Sequence, residues 1–183
     1  LRKHGMLVKR TKRAHITTDS KHMFRKHPNL LIDLPITHSE QVFGSDITYI
    51  DIEDKHAYLA LVTDLYSKKI MGWDIQFHMR ATLVTEALKV AIKNKIHGEF
   101  KTIHHTDRGI QYCCDEFVQF AKDNFFVLSN TQHSDPYENA IAERINGILK
   151  YEFGLKNNIK TMEIANKMIN EAVKVYNNER LHW

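Results

Sequence analysis

Cysteine, proline and glycine are all scarce in this 183-residue chain, at 2, 3 and 7 residues. The two cysteines, Cys113 and Cys114, are adjacent and make a poor disulfide pair. That excludes a small disulfide-stapled secreted scaffold and points to a cytoplasmic chain. So little glycine and proline favours long regular elements over loops. Long apolar runs are missing too. None nears the roughly 18 residues that a membrane span needs, and Tyr58 to Val62 is typical of the longest. No signal-peptide pattern opens the sequence. General disorder is excluded by a hydrophobic content of 43%. The length suits one domain with a sizeable core, plus an arm.

What is present is uneven in charge. Residues 1–27 hold nine Lys or Arg, among them Arg10, Lys12 and Arg13, against one acid, Asp19. That segment carries +8 and the remaining 156 residues carry −4, which gives the net +4. A basic arm ahead of a mildly acidic domain is a common footprint of nucleic-acid binding, and a solvated linker is the plain alternative. The histidines of this stretch (His4, His15, His22, His27, His38) have no cysteine nearby and no zinc spacing, so they read as ordinary polar residues. Pro28 opens PNLLIDLPI, a linker expected to pack on the domain surface.

Periodicity then lays out the domain. Val42 to Ile52 reads as a strand with Asp46, Thr48, Ile50 and Ile52 on one face and Ser45, Ile47, Tyr49 and Asp51 on the other. A turn at Glu53 to Lys55 leads to a strand over His56 to Asp64, buried on both faces, and a third strand covers Lys69 to Phe77. A helix follows over Leu83 to Ile96, with Thr82 as its cap. Phe100 to His105 is a fourth strand that ends in HTDRG (105–109), and Cys113 and Cys114 sit in a loop before a helix over Asp115 to Phe125. Phe126 to Thr131 is a fifth strand. Thr161 caps a last helix with Ala165, Met168, Ile169, Ala172, Val173 and Tyr176 on one face. The fold class is α/β: a mixed five-stranded sheet, three antiparallel strands and then alternating units, with helices on both faces.

Between them lies SDPYENAIAERINGILK (134–150). Asp135 as N-cap, Pro136 at the first position and Glu138 three residues after the cap predict a helix start. Helical spacing puts Tyr137, Ala140, Ile141, Ile145, Ile148 and Leu149 on a core face, and Asn139, Glu143, Asn146 and Lys150 on a polar stripe. Three acids therefore stand in pointed positions. Asp46 is in a strand among apolar residues, Asp107 follows a strand end, and Glu143 is on a packed helix. Converging carboxylates need a hard divalent cation between them, Mg²⁺ or Mn²⁺. Each has a plain structural alternative: a strand-bend acid, a turn former before Gly109, a solvated helix residue. Asp51 and Asp64 read as structural.

Asp107 and Glu143 are separated by 35 residues, and Lys150 follows seven after Glu143. With DITYI (46–50), HTDRGIQY (105–112), ENAIAERINGILK (138–150), DLYSKKIMGW (64–73) and YNNERLH (176–182), the chain closely resembles the IS-three family of insertion-sequence transposases, from about Thr17 to His182. Their catalytic domain is related to retroviral integrases. The resemblance implies an RNase H-like fold, with a basic arm over 1–40, a catalytic core over 41–155, and a terminal helix and truncated tail over 156–183. It implies that Asp46, Asp107 and Glu143 are catalytic and hold two Mg²⁺, which Mn²⁺ can replace, and that Lys150 touches donor-end DNA. Asn139, His105 and Arg108 are weaker candidates for DNA contact, with structural roles as their alternative. The implied reaction is cleavage at element ends and transfer of the 3′-OH to a target phosphodiester. The implied partners are element-end and target DNA, further copies of the chain on that DNA, and a helix-turn-helix partner or missing amino-terminal region. The implied setting is the bacterial cytoplasm, associated with the nucleoid, with no membrane partner. Phe43 stands where the family has Trp, and Leu181 where it has Pro. A silent DNA-binding transposon remnant and a ribonuclease on RNA–DNA hybrids are the competing functions.

Overall fold

A computed structural model describes residues 22–98, 101–132 and 139–180. Its elements are β1 (Val42–Ile52), β2 (Lys55–Asp64), β3 (Ile70–Gln76), α1 (Ala81–Asn94), β4 (Thr102–Thr106), α2 (Ile110–Cys113), α3 (Asp115–Asp123), β5 (Phe126–Asn130), α4 (Ala140–Tyr151) and α5 (Met162–Asn178). The sheet order is β3-β2-β1-β4-β5. β1 and β2, and β2 and β3, pair antiparallel, whereas β1 with β4 and β4 with β5 pair parallel. Glu53 and Asp54, at φ 51° and 60°, turn β1 into β2. Two successive left-handed residues match the twist of a two-residue hairpin.

The period-two alternation of β1 sorts its side chains to two cores. Ile50 and Ile52 join Leu59, Leu61, Ile145, Leu149, Ile169 and Tyr176 under α4 and α5. Phe43 and Ile47 join Leu83, Leu88, Phe117 and Phe126 under α1 and α3. Helices thus cover both faces, and α5 shares the core of α4. The Thr161 hydroxyl caps α5 by accepting from the Ile164 N–H at 3.2 Å. Close approach of α1 to β3 depends on Gly72, where an added Cβ would lie 2.3 Å from the Ala87 carbonyl and 2.5 Å from the Ala91 nitrogen. Asp64 is structural, as expected. Its carboxylate accepts from the Tyr66 N–H at 3.1 Å and from the Ser67 hydroxyl at 2.6 Å, which closes the turn to β3.

Local expectations fail at four places. Arg80, not Thr82, is the residue before α1, and it makes no side-chain cap. Thr82 lies inside the helix and donates to Gln76 at 3.2 Å. The cysteines are not in an open loop: Cys113 is buried in the one-turn helix α2, and Cys114 links it to α3. Ala140 is exposed rather than part of the core face. Asn139 and Asn146, assigned to a polar stripe opposite the core face, are buried at 8% and 4% exposure. They are buried because α4 docks on the acid-bearing face of β1, where an amide finds partners. The expected cap and first turn of α4, from Asp135 to Glu138, lie outside the described residues.

Candidate active site

Strand pairing brings the first two acids together. In the parallel register of β1 and β4, Ser45 lies opposite Thr106. Asp46, the next residue of β1, and Asp107, the first residue past β4, therefore neighbour each other where that pairing ends. Asp46 is on the α4 face of β1 and accepts from Asn146 Nδ2 at 2.7 Å. Asn139 Nδ2 donates to the Ser45 carbonyl at 3.1 Å, which pins the start of α4 beside the same acid. Glu143, in the first turn of α4 between these two asparagines, is exposed.

Asp107 is held by its own loop. Its Oδ1 accepts from the Gly109 N–H at 2.9 Å. Its carbonyl accepts from Asn130 Nδ2 at 3.1 Å and from the Thr106 hydroxyl at 2.8 Å. Asn130 Nδ2 also lies 3.0 Å from Thr106 Oγ1. Arg108 donates from Nε to the Thr131 carbonyl at 2.6 Å, so its guanidinium is tethered to the end of β5.

The three acids feel one another. Burial pushes the Asp46 carboxyl up to about 7; the negative charge of Asp107 adds to this, Glu143 adds less, and the Asn146 amide and Ile47 N–H pull the other way. Glu143 is raised by burial and then by Asp107. Tyr112, just past the Asp107 loop, is held far above the usual phenol value by burial and by Asp107 and Asp46. Its hydroxyl and Asn146 Oδ1 are buried and lack hydrogen-bond partners. Mutually repelling carboxylates, with the unpartnered Asn146 Oδ1 on the residue that bonds Asp46, fit a hard cation: the donors are all oxygen, and the cation would remove the repulsion. Among the described residues, no three acid, His or Cys side chains are gathered tightly enough to form a ready metal cage.

The DNA-contact candidates divide. His105 is fully buried, with Nδ1 2.8 Å from Ser129 Oγ, so it presents nothing to a phosphate. β4 is a central strand buried on both faces, and both of its histidines point into the protein. Asn139 likewise works inside the fold. Lys150 is half-buried, with Nζ 3.9 Å from the centre of the Tyr49 ring. Burial lowers its pKa, while Asp51 and Asp46 raise it. Arg10, Lys12 and Arg13 lie outside the described residues. Sequence reasoning missed Asn130, Asn146 and Tyr112 as neighbours of the acids. The readable signal for Asn146 was its place three residues after Glu143, on a helix expected to pack.

A mixed sheet of this order with helices on both faces, and acids on β1, after β4 and on α4, defines an RNase H-like fold. Residues 36–136 match the family described as Integrase core domain, and residues 126–183 match a second family of the same description. The chain belongs to the integrase core family. It is 30% identical over 142 residues to the transposase for insertion sequence element IS629 of Shigella sonnei, covering 78% of this chain and 47% of that one. It is 31% identical over 153 residues to transposase InsF for insertion sequence IS3A of Escherichia coli K12, covering 83% and 53%. The chain thus spans about half the length of these relatives. Among solved structures, it resembles the HTLV-2 integrase catalytic core domain in complex with magnesium, with a TM-score of 0.62 and 17% identity over 79% of this chain and 90% of that one. It also resembles a chain of the simian T-cell lymphotropic virus intasome, with a TM-score of 0.69 and 18% identity over 91% and 57%. At those identities the likeness is one of fold.

Proposed function

We propose that this chain is the catalytic core of a DNA transposase, a metal-dependent polynucleotidyl transferase. It cleaves at the ends of an insertion sequence and transfers the 3′-OH to a target phosphodiester. The observation that carries this is the placement of the three acids: the β1–β4 register sets Asp46 beside Asp107, and α4, which carries Glu143 in its first turn, docks on Asp46 through Asn146. An acid held near pKa 7 beside two others suits a divalent cation better than water.

Asp46, Asp107 and Glu143 would hold Mg²⁺, or Mn²⁺ in its place, as a pair of ions. When bound, the pair lowers the barrier to attack on a phosphodiester and to departure of the leaving oxygen. The chain's own part is placement. Asn146 and Asn130 fix Asp46 and the Asp107 loop before substrate arrives, and Glu143 closes the site from the exposed side of α4. The carboxylates hold the ions rather than move protons. Lys150, braced on Tyr49, and Arg108, at the mouth of the Asp107 loop, contact the DNA backbone, with the basic arm of residues 1–40 adding salt-sensitive affinity. The active assembly is two or more copies on paired DNA ends, joined by the helix-turn-helix portion that the longer relatives have room for.

The test is strand transfer from a labelled duplex carrying the element end, in Mg²⁺, Mn²⁺ or EDTA, for the native chain and Glu143→Gln. Metal-dependent product that disappears in the variant is expected. Product that persists in EDTA or in the variant would refute the assignment.

A further inference from the structure

The segment ahead of the domain does more than lie on its surface. Residues 22–30 run along β5 and make a series of hydrogen bonds that ends at Asp107. His22 Nε2 donates to the Arg108 carbonyl at 2.8 Å. The His27 N–H donates to Asn130 Oδ1 at 2.8 Å, and the Leu30 N–H to Ser129 Oγ at 2.9 Å. The Asn130 N–H reaches the Pro28 carbonyl at 3.4 Å. Asn130 is 2% exposed and spends its other amide atom on Thr106 Oγ1 and the Asp107 carbonyl. One asparagine thus joins the segment on its outer side to the second acid on its inner side. Its two ends are an acceptor toward the segment and a donor toward Asp107, so no other side chain of that size offers the same pair.

We infer that the His22–Leu30 segment is a strap that sets the position of Asp107, with Asn130 as the positioning residue and His22 as the outer clamp. Asp107 opens the three-residue connection between β4 and α2, and Asn130 and the Gly109 N–H hold it there. Pulling the strap away removes the His22 bond to Arg108 and the His27 bond to Asn130. It leaves the buried Asn130 oxygen unsatisfied and frees the turn to shift. The basic residues before His22 are continuous with the strap, so a load on them reaches Asp107 through two hydrogen bonds. The consequence for metal binding rests on the transferase reading above; the coupling of strap to turn does not.

The Gly109 N–H, bonded to Asp107 Oδ1, is a local reporter of that turn. Amide hydrogen exchange is measured for the native chain, His22→Ala, His22→Gln and Asn130→Ala, together with Mn²⁺ binding from the electron paramagnetic resonance signal of the free ion. In His22→Ala, Gly109 exchange should rise about tenfold while the amides of β1 and β2 keep their native rates. His22→Gln, which retains a donor, should restore most of the protection. Mn²⁺ should bind about fivefold more weakly to His22→Ala and to Asn130→Ala. His22 is only half-buried, so its variants test the idea even if Asn130→Ala fails to fold. Unchanged Gly109 exchange in His22→Ala overturns the strap. So does faster Gly109 exchange with Mn²⁺ affinity within twofold of native, because the turn would then move without consequence for the site. If the native chain and Asp107→Asn both fail to bind Mn²⁺, the transferase reading fails instead, and the Gly109 result still decides the coupling.

Discussion

Replacing Asp46 with Asn should stabilise the metal-free protein above about pH 4, most of all at neutral and alkaline pH. The folded chain holds a proton on Asp46 up to about pH 7, whereas the unfolded chain releases it near the ordinary carboxylate value of 3.8. The raised value means that ionisation opposes folding. The penalty is absent below about pH 4, grows through the interval and is complete above about pH 7. At about 1.4 kcal/mol per unit, the shift sets a ceiling of about 4 kcal/mol. Partial exposure of the carboxylate discounts it to about 2–3 kcal/mol, or roughly 5–10 °C in Tm for a domain of this size. Asn keeps an oxygen to accept from Asn146, so no hydrogen bond is lost. His104 complicates any single curve. Burial beside Phe117 and Phe126, with His105 next to it, lowers its pKa to about 3, so stability falls as pH drops from 6.5 toward 3. That slope opposes the Asp46 slope in the native chain but is common to both proteins, and it cancels in their difference. The assay is urea unfolding followed by tryptophan fluorescence from pH 4 to 8.5 in EDTA. The stability gain of Asp46→Asn should be near zero at pH 4 and greatest above pH 7. A gain that is flat with pH, or a loss at pH 8, would refute the reasoning. Mg²⁺ added at pH 8 should stabilise the native chain and leave Asp46→Asn unchanged.

Asn146→Ala removes the donor that holds the Asp46 carboxylate down, so the pH profile of strand transfer should move to alkaline values by about half a unit, read from the acid limb of the rate curve. Lys150→Ala should weaken end-DNA binding across sequences and reduce the salt slope by about one, measured by fluorescence anisotropy from 50 to 200 mM salt at roughly constant pH; an unchanged slope would remove Lys150 from the DNA surface. Gly72→Ala forces a methyl into the backbone of α1 and should cost about 3 kcal/mol or more in urea unfolding, with no change in Mn²⁺ affinity per folded molecule.

Most of the frame was legible from alternation and helical spacing because those patterns record burial directly. β1 begins and ends where its alternation does, and the two faces assigned to it are the faces that meet α4 and α3. The resemblance, not the periodicity, singled out the three acids. The polar residues around them were harder to place. Asn139, Asn146 and His105 look like solvent-facing groups in one dimension, since an amide or imidazole is polar whether its partner is water or a neighbouring strand. Their burial depends on what lies across the interface: the Ser45 carbonyl, Asp46 and Ser129. Those partners are 94, 100 and 24 positions away. Asn130 is the sharpest instance, because its importance comes from two contacts on opposite sides, neither of which leaves a periodic trace. Thr82 failed for a local reason. It is a good capping residue, but the chain enters the helix two residues earlier, at Arg80, and its hydroxyl is taken by Gln76.

The strap has a second effect at the rim of the sheet. β5 is the outermost strand on its side, and its open backbone groups are a template onto which another chain can add. The Pro28 carbonyl occupies the Asn130 N–H, and the Leu30 N–H occupies the Ser129 side chain, while proline at 28 and 35 cannot extend the ladder further. The covering is itself unable to act as a strand, so it closes the rim without continuing it. A chain trimmed to begin at Val42 would carry all five strands and Asp46, Asp107 and Glu143, yet expose a sticky border and self-associate. Solubility and site geometry therefore share one short stretch of polypeptide, and substitutions there will be constrained twice over.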